Sequence, residues 1–141
     1  MEYASKTGVS VFLLLGILWQ PAYASPDIKE GYDENTEVTV RGTVKEVVNG
    51  TRGPVILKIR SDSKMYRVIT APPWYLSQEG VLFQPGSEWE IKGSRYFGRD
   101  GNLYLVCRQM KDIGTDKAVV FRDSSCKPKW MGRRMHKRHM Q

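Results

Sequence analysis

"EVTVRGTVKEVV", residues 37–48, alternates apolar and polar side chains over most of its length. Val38, Val40 and Val44 fall on one face; Thr39, Arg41, Thr43 and Lys45 fall on the other. A period of two marks a half-buried β-strand, because successive side chains leave a strand on opposite sides. Gly42 sits on the apolar face, where a missing side chain points to a bend or to the close approach of another backbone. The pattern recurs downstream. "PVILKIRS" (54–61) turns Val55, Leu57 and Ile59 one way and Lys58 and Arg60 the other, and "MYRVIT" (65–70) places Tyr66 with Val68. "PGSEWEIKGSRYF" (85–97) sets Trp89 and Ile91 inward against Glu88, Glu90 and Lys92, and "LYLVCRQMK" (103–111) makes a fifth strand. "KAVVFRD" (117–123) adds one more short strand.

The connections carry turn chemistry. "NGTRGP" and "SDSK" join the first three strands, and "GRDGN" joins the fourth and fifth through an Asp-Gly hairpin signal. "APPWYLSQEG" (71–80) cannot continue a strand, because Pro72 and Pro73 lack ladder donors. It suits a short helical turn opening at Pro73 and closing at Gly80, a Pro-Pro-Trp connection that buries its aromatic as a plug; the alternative is a stacking platform of Trp74 and Tyr75 beside a pocket. Three strands, a short helix and two strands make an all-β, five-stranded OB-fold, a Greek-key barrel. "VRGTVKEV", "APPWYL", "PGSEWEIKGS" and "GRDGNLYLV" resemble the small exported OB-fold proteins of Gram-negative bacteria, from Glu37 to about Asp123. The resemblance implies a ligand-binding module, with nucleic acid as a partner by analogy of fold; fold by itself does not fix function.

Upstream of the barrel, "VSVFLLLGILW" (9–19) is an apolar run shorter than the ~20 residues of a membrane span. Pro21 follows, then Ala22-Tyr23-Ala24, a small-x-small pattern for leader cleavage. The expected organisation is a signal peptide (1–24), an acidic segment (25–36), the barrel (37–123) and a basic tail (124–141). The mature chain is expected to be periplasmic or secreted, with no transmembrane span. The alternative is an uncleaved anchor. After Ala24 about 117 residues remain, the size of one small domain. The net charge of +7 is uneven. Residues 25–37 are acidic, whereas Lys127, Lys129, Arg133, Arg134, Lys137 and Arg138 crowd the last fifteen residues, so both ends read as solvated extensions.

An OB barrel binds on the face of its second and third strands, between the loops joining strands 1–2 and strands 4–5. Arg41, Lys45, Lys58, Arg60 and Arg67 are the outward cations of the first three strands. Arg52 lies in the first loop, and Arg95, Tyr96, Phe97 and Arg99 lie around the second. Cations neutralise phosphates and rings stack on bases, so this set fits an anionic ligand: an oligonucleotide-like polyanion, a glycan or an acidic protein. The competing reading is an ordinary solvated surface, with Glu46, Glu88, Glu90 and Asp100 diluting the cations.

Cys107 and Cys126 are an even pair in an exported chain, and a disulfide between them would contribute roughly 3 kcal/mol. Alternatively, Cys107 is a core thiol sharing a face with Leu103 and Leu105. The tail "MGRRMHKRHM" holds Met135, His136, His139 and Met140; with Cys126 these are donors for a copper-type ion, opposed by the surrounding positive charge. His136 and His139 are the protein's two histidines, and no nucleophile-elbow, phosphate-loop or metalloprotease spacing occurs, so a non-enzyme is expected. Besides anion binding, two readings remain: metal handling by the Cys/Met/His tail, and an envelope scaffold docking through an exposed strand edge.

Overall fold

A computed structural model of the chain describes residues 31–50 and 52–131. A single 3-10 turn, Glu34–Thr36, leads into β1 (Glu37–Val48). β2 (Ile56–Ser61), β3 (Lys64–Ile69), helix α1 (Pro73–Gln78), β4 (Glu88–Phe97), β5 (Leu103–Asp112) and β6 (Ala118–Val120) follow. The sheet order is β3-β2-β1-β4-β5-β6, and β3 also pairs with β5 in parallel. That pairing closes five strands into a barrel, the all-β architecture expected from the strand order; β6 extends the sheet beyond it.

The alternation of each strand sets the inner face. Val40, Val44, Leu57, Ile59, Val68 and Ile91 are buried in one core, together with Tyr66, Trp89 and Leu105. Glycine makes two of the closest backbone approaches possible. A Cβ on Gly42 would lie 2.6 Å from the Arg60 carbonyl oxygen, and one on Gly93 would lie 2.4 Å from that of Val106. Both fall inside contact distance, so only glycine fits. A bulge between Val44 and Glu46 then shifts the phase of β1, returning Val47 rather than Glu46 toward the core.

α1 opens as its prolines dictate. Pro72 is extended with ψ 149°, Pro73 takes a first-turn position where no amide is missed, and Gly80 follows the helix at φ +66°. The buried plug is Tyr75, 1% exposed, rather than Trp74, which stays half-buried. The Tyr75 ring meets Trp74, Phe121 and Trp130 at centroid distances of 6.1, 6.4 and 5.5 Å. Packing therefore continues past β6: Phe121 is fully buried and Trp130 rests on the core. At the other end, Tyr32 is half-buried and the 3-10 turn is tied to β4, where Ser94 Oγ accepts from the Asp33 amide at 3.3 Å and lies 2.7 Å from Thr36 Oγ1.

The expected disulfide between Cys107 and Cys126 is not formed; both thiols are free. The pleat of β5 sends Cys107 inward beside Leu105, where burial pushes its pKa well up. Cys126 sits in a turn at φ +63°, and its thiol donates to Glu34 Oε1 at 3.2 Å. No helix among the described residues is long and apolar enough to cross a membrane. The leader sequence and residues 25–30 of the acidic segment lie outside the described residues.

Candidate ligand-binding face

Closure of the barrel brings distant residues into register. Glu46, Lys58, Arg67, Tyr104 and Tyr96 stand side by side across β1, β2, β3, β5 and β4. A second row, Val48, Ile56, Ile69, Val106 and Ser94, runs beside it. Ile69, Tyr104 and Val106 form a small apolar cluster separate from the barrel core, with Tyr32, Ile56 and Tyr96 packed against it. Arg60 lies opposite Thr43 and Met65 and is exposed. The β1–β2 loop ends at Ile56, which pairs with the last residue of β3. The β4–β5 turn ends at Leu103, which pairs with Tyr66 near the start of β3. The two loops thus frame opposite ends of one face.

Arg67 stands beside a carboxylate that is itself held. Its Nη1 lies 3.9 Å from Asp100 Oδ2, the atom that accepts from the Tyr104 hydroxyl at 2.6 Å, while Oδ1 accepts from the Asn102 amide at 3.0 Å. The Tyr104 hydroxyl, then Asn102 and Arg67, hold the Asp100 pKa down at about 2. Burial, then Asp100, raises that of Tyr104, so the phenol stays protonated and keeps donating. Tyr96 stacks on Tyr104 at 5.2 Å with the rings 10° from parallel. Lys58 reaches Glu46 at 3.0 Å, a partly exposed pair of the kind that contributes little to stability.

The residues singled out in the sequence do not all meet here. Lys58, Arg60 and Arg67 share the β2–β3 face, with Lys45 exposed at the β1 bulge and Arg52 exposed in the framing loop. Arg41 lies instead where β1 pairs with β4, bonded to Glu90 at 3.2 Å. On β4 the pleat separates Tyr96 from Arg95 and Phe97; Phe97 is 74% exposed, Arg95 is exposed two residues before the strand end, and Arg99 is exposed in the turn. Of the metal candidates, Cys126 is bonded to Glu34, and Met135, His136, His139 and Met140 lie outside the described residues. No group of three or more His, Cys, Asp or Glu side chains is assembled as a metal set among the described residues. For a scaffold, closure leaves β6 as the strand paired on one side alone among the described residues, and the Tyr75 hydroxyl reaches its Val120 carbonyl at 3.5 Å.

A neighbouring network was not anticipated. Glu37 Oε2 accepts from the Tyr32 hydroxyl at 2.6 Å and from Arg108 at 2.9 Å, and Lys92 stands 3.3 Å from Oε1. The Tyr32 hydroxyl foremost, then the two cations, lower the Glu37 pKa against the opposing effect of burial. Arg122, 8% exposed, lies over the Tyr32 ring at 5.5 Å and donates to the Cys126 carbonyl at 2.9 Å. The sequence signals were an aromatic inside the acidic run "GYDENTE" and two arginines in or beside apolar strands.

Residues 36–115 match the model of the MamS/MamX magnetosome protein family. The chain belongs to that family. The match runs from the entry of β1 through β5, so it contains the five strands of the barrel and the Lys58–Arg67–Tyr104–Tyr96 row. Tyr32, Arg122 and Cys126 fall outside it. No curated protein matches the chain. The likeness noted in the sequence thus holds as a small barrel fold, and the family is MamS/MamX.

Proposed function

We propose that this small barrel protein is an exported, non-catalytic module that binds an anionic ligand on the β2–β3 face. The observation that carries the reading is the register that places Lys58 beside Arg67, with Arg60 on the same face and the two loops framing it. Around β2 and β3, Lys45, Arg52, Lys58, Arg60, Lys64 and Arg67 outnumber Glu46, Asp62 and Asp100. The Tyr104 hydroxyl holds Asp100, whose carboxylate stands 3.9 Å from Arg67, so the surroundings of that cation are ordered before any ligand arrives, which lowers the ordering cost of binding. Membership of a magnetosome family directs the search for the natural ligand to anionic components of that structure.

A salt titration tests this reading. With a short single-stranded oligonucleotide as a polyanion probe, log affinity should fall linearly with log salt concentration, at a slope of about −0.7 for each phosphate neutralised. The double variant Lys58→Gln, Arg60→Gln should make that slope shallower by about 1.4. An unchanged slope would show that the attraction comes from elsewhere in the chain and would overturn the proposal.

A further inference from the structure

The chain enters the barrel across the outer side of β4 and β5. Asp33 and Thr36 are tied to Ser94 on β4, and Tyr32 packs on the outer cluster of Ile69, Tyr104 and Val106. Tyr32 is held from several directions. Its hydroxyl donates to Glu37 at 2.6 Å, and the Arg108 and Arg122 guanidiniums lie 6.0 and 5.5 Å from its ring centroid. The other end of the chain adds a clasp, because the Cys126 thiol donates to Glu34 Oε1 at 3.2 Å. Tyr32, Glu34 and Cys126 all lie outside residues 36–115, so this strap is an addition to the barrel that the family model describes.

The strap shares a face with the cations. Tyr104, against which Tyr32 packs, pairs with Arg67, and Ile69 lies two residues along β3 from Arg67, on the same side of the sheet. Gly31 lines a cleft of about 250 Å³ with Tyr32, Ser94, Arg95 and Tyr96, so the strap leads to the β4 end of the row Tyr96, Tyr104, Arg67, Lys58. Directly upstream the sequence reads "SPDIKE", 25–30, with Asp27 and Glu30 against Lys29 and a single large apolar residue, Ile28. Six extended residues span at most about 20 Å. Three strand spacings, about 14 Å, separate Tyr96 from Lys58. The length suffices and the charge is complementary, while exposed Val48 and half-buried Ile56 offer apolar surface to Ile28 beside the cations. Resting on the reading of the β2–β3 face as anion-binding, we propose that residues 25–30 dock on that face, with Asp27 and Glu30 over Arg67 and Lys58, as a built-in competitor of the anionic ligand. Tyr32 is the anchor that keeps the segment in reach. A short tether supplies an effective concentration on the order of millimolar, so weak exposed ion pairs suffice. A face covered about nine-tenths of the time binds an external ligand about tenfold more weakly than a bare one.

The experiment measures binding of a short oligothymidylate to the full chain at low salt. The double variant Asp27→Asn, Glu30→Gln should bind the probe about tenfold more tightly than the unaltered chain. Glu88→Gln with Glu90→Gln makes the same change in net charge away from the β2–β3 face and should gain far less. Tyr32→Ala, which alters no charge, should also tighten binding by freeing the segment. Without any probe, Asp27→Asn, Glu30→Gln should shift the amide signals of Lys58 and Arg67, and those shifts should not depend on protein concentration. Equal gains from the two charge pairs would reduce the effect to net charge and overturn the docking. Shifts that grow with protein concentration would assign the segment to a second copy and overturn a competitor within one chain. Binding that Lys58→Gln weakens, but that neither the double variant nor Tyr32→Ala strengthens, would overturn the competitor and leave the anionic face standing. Failure of the unaltered chain and of every variant to bind would sink both proposals.

Discussion

Gly93→Ala should be among the most damaging single-methyl additions to the barrel. The new Cβ would lie 2.4 Å from the Val106 carbonyl oxygen and 3.0 Å from Leu105 Cγ. Carbon atoms at that position do not approach a neighbour closer than 3.0 Å, so β4 and β5 must part by about 0.6 Å. The obstruction is backbone, so no side-chain rotation relieves it. Val106 also pairs with Ile69 across the parallel β3–β5 seam that closes the barrel. Movement there disturbs the seam and, two residues away, the Arg67–Tyr104 pair. Overpacking of this kind costs about 1–3 kcal/mol, and its backbone origin places it toward the upper end. For a domain of this size that is a fall in melting temperature of roughly 10–20 °C. Gly50→Ala is the matched control: its Cβ would meet the Arg52 carbonyl oxygen at 3.6 Å, an ordinary contact, at a backbone angle open to alanine. It should be neutral or stabilise by up to ~1 kcal/mol. Paired thermal melts followed by circular dichroism decide the matter. Gly93→Ala melting within a degree or two of Gly50→Ala would refute the close approach and the seam built on it.

Three further outcomes follow from the same packing. Tyr104→Phe should raise the Asp100 pKa from about 2 toward the ordinary carboxylate value; a folded pKa depressed in this way supports stability above pH ~4, and that support fades as pH falls toward 2, so the variant's stability deficit should be widest above pH ~4 and close in acid. Carboxyl NMR titration reads this directly, and an unmoved Asp100 would remove the Tyr104 bond from the scheme. Under native conditions a thiol reagent should label Cys126 while the buried Cys107 reacts only on unfolding, and equal rates would contradict the inward placement of Cys107. Tyr75→Ala should cost about 3–5 kcal/mol and change the fluorescence of Trp130, whose ring rests on it; a small cost would show that the barrel bottom is closed by other groups.

The five strands were readable because each keeps a period of two over its buried half, and Gly42 and the Pro72-Pro73 pair mark real constraints. What alternation cannot show is which strands meet when the sheet closes. The β3–β5 seam joins residues more than thirty positions apart, so Arg67 and Tyr104 carried no common signal, and Tyr104 read as one more strand residue. Bulges hid the rest. The extra residue near Lys45 resets β1, and a register shift beside Gly93 leaves Arg108 outside the simple alternation, where it meets Glu37. The outward cations were identified correctly as a class, yet Arg41 fell on a different face because the strand beside it is β4 and not β2. Two cysteines in a chain expected to be exported suggested a bond, but inward placement in a strand competes with pairing, and Cys107 follows its pleat.

Amide NMR of the full chain, titrated at low salt with a short single-stranded oligonucleotide, addresses the binding face most directly. Lys58, Arg60, Arg67 and Tyr96 should shift together and saturate at one affinity, with Arg41 and Glu90 unmoved on the other side of the barrel. Shifts confined to residues 127–141, or spread evenly over every exposed cation, would contradict a defined site on the β2–β3 face.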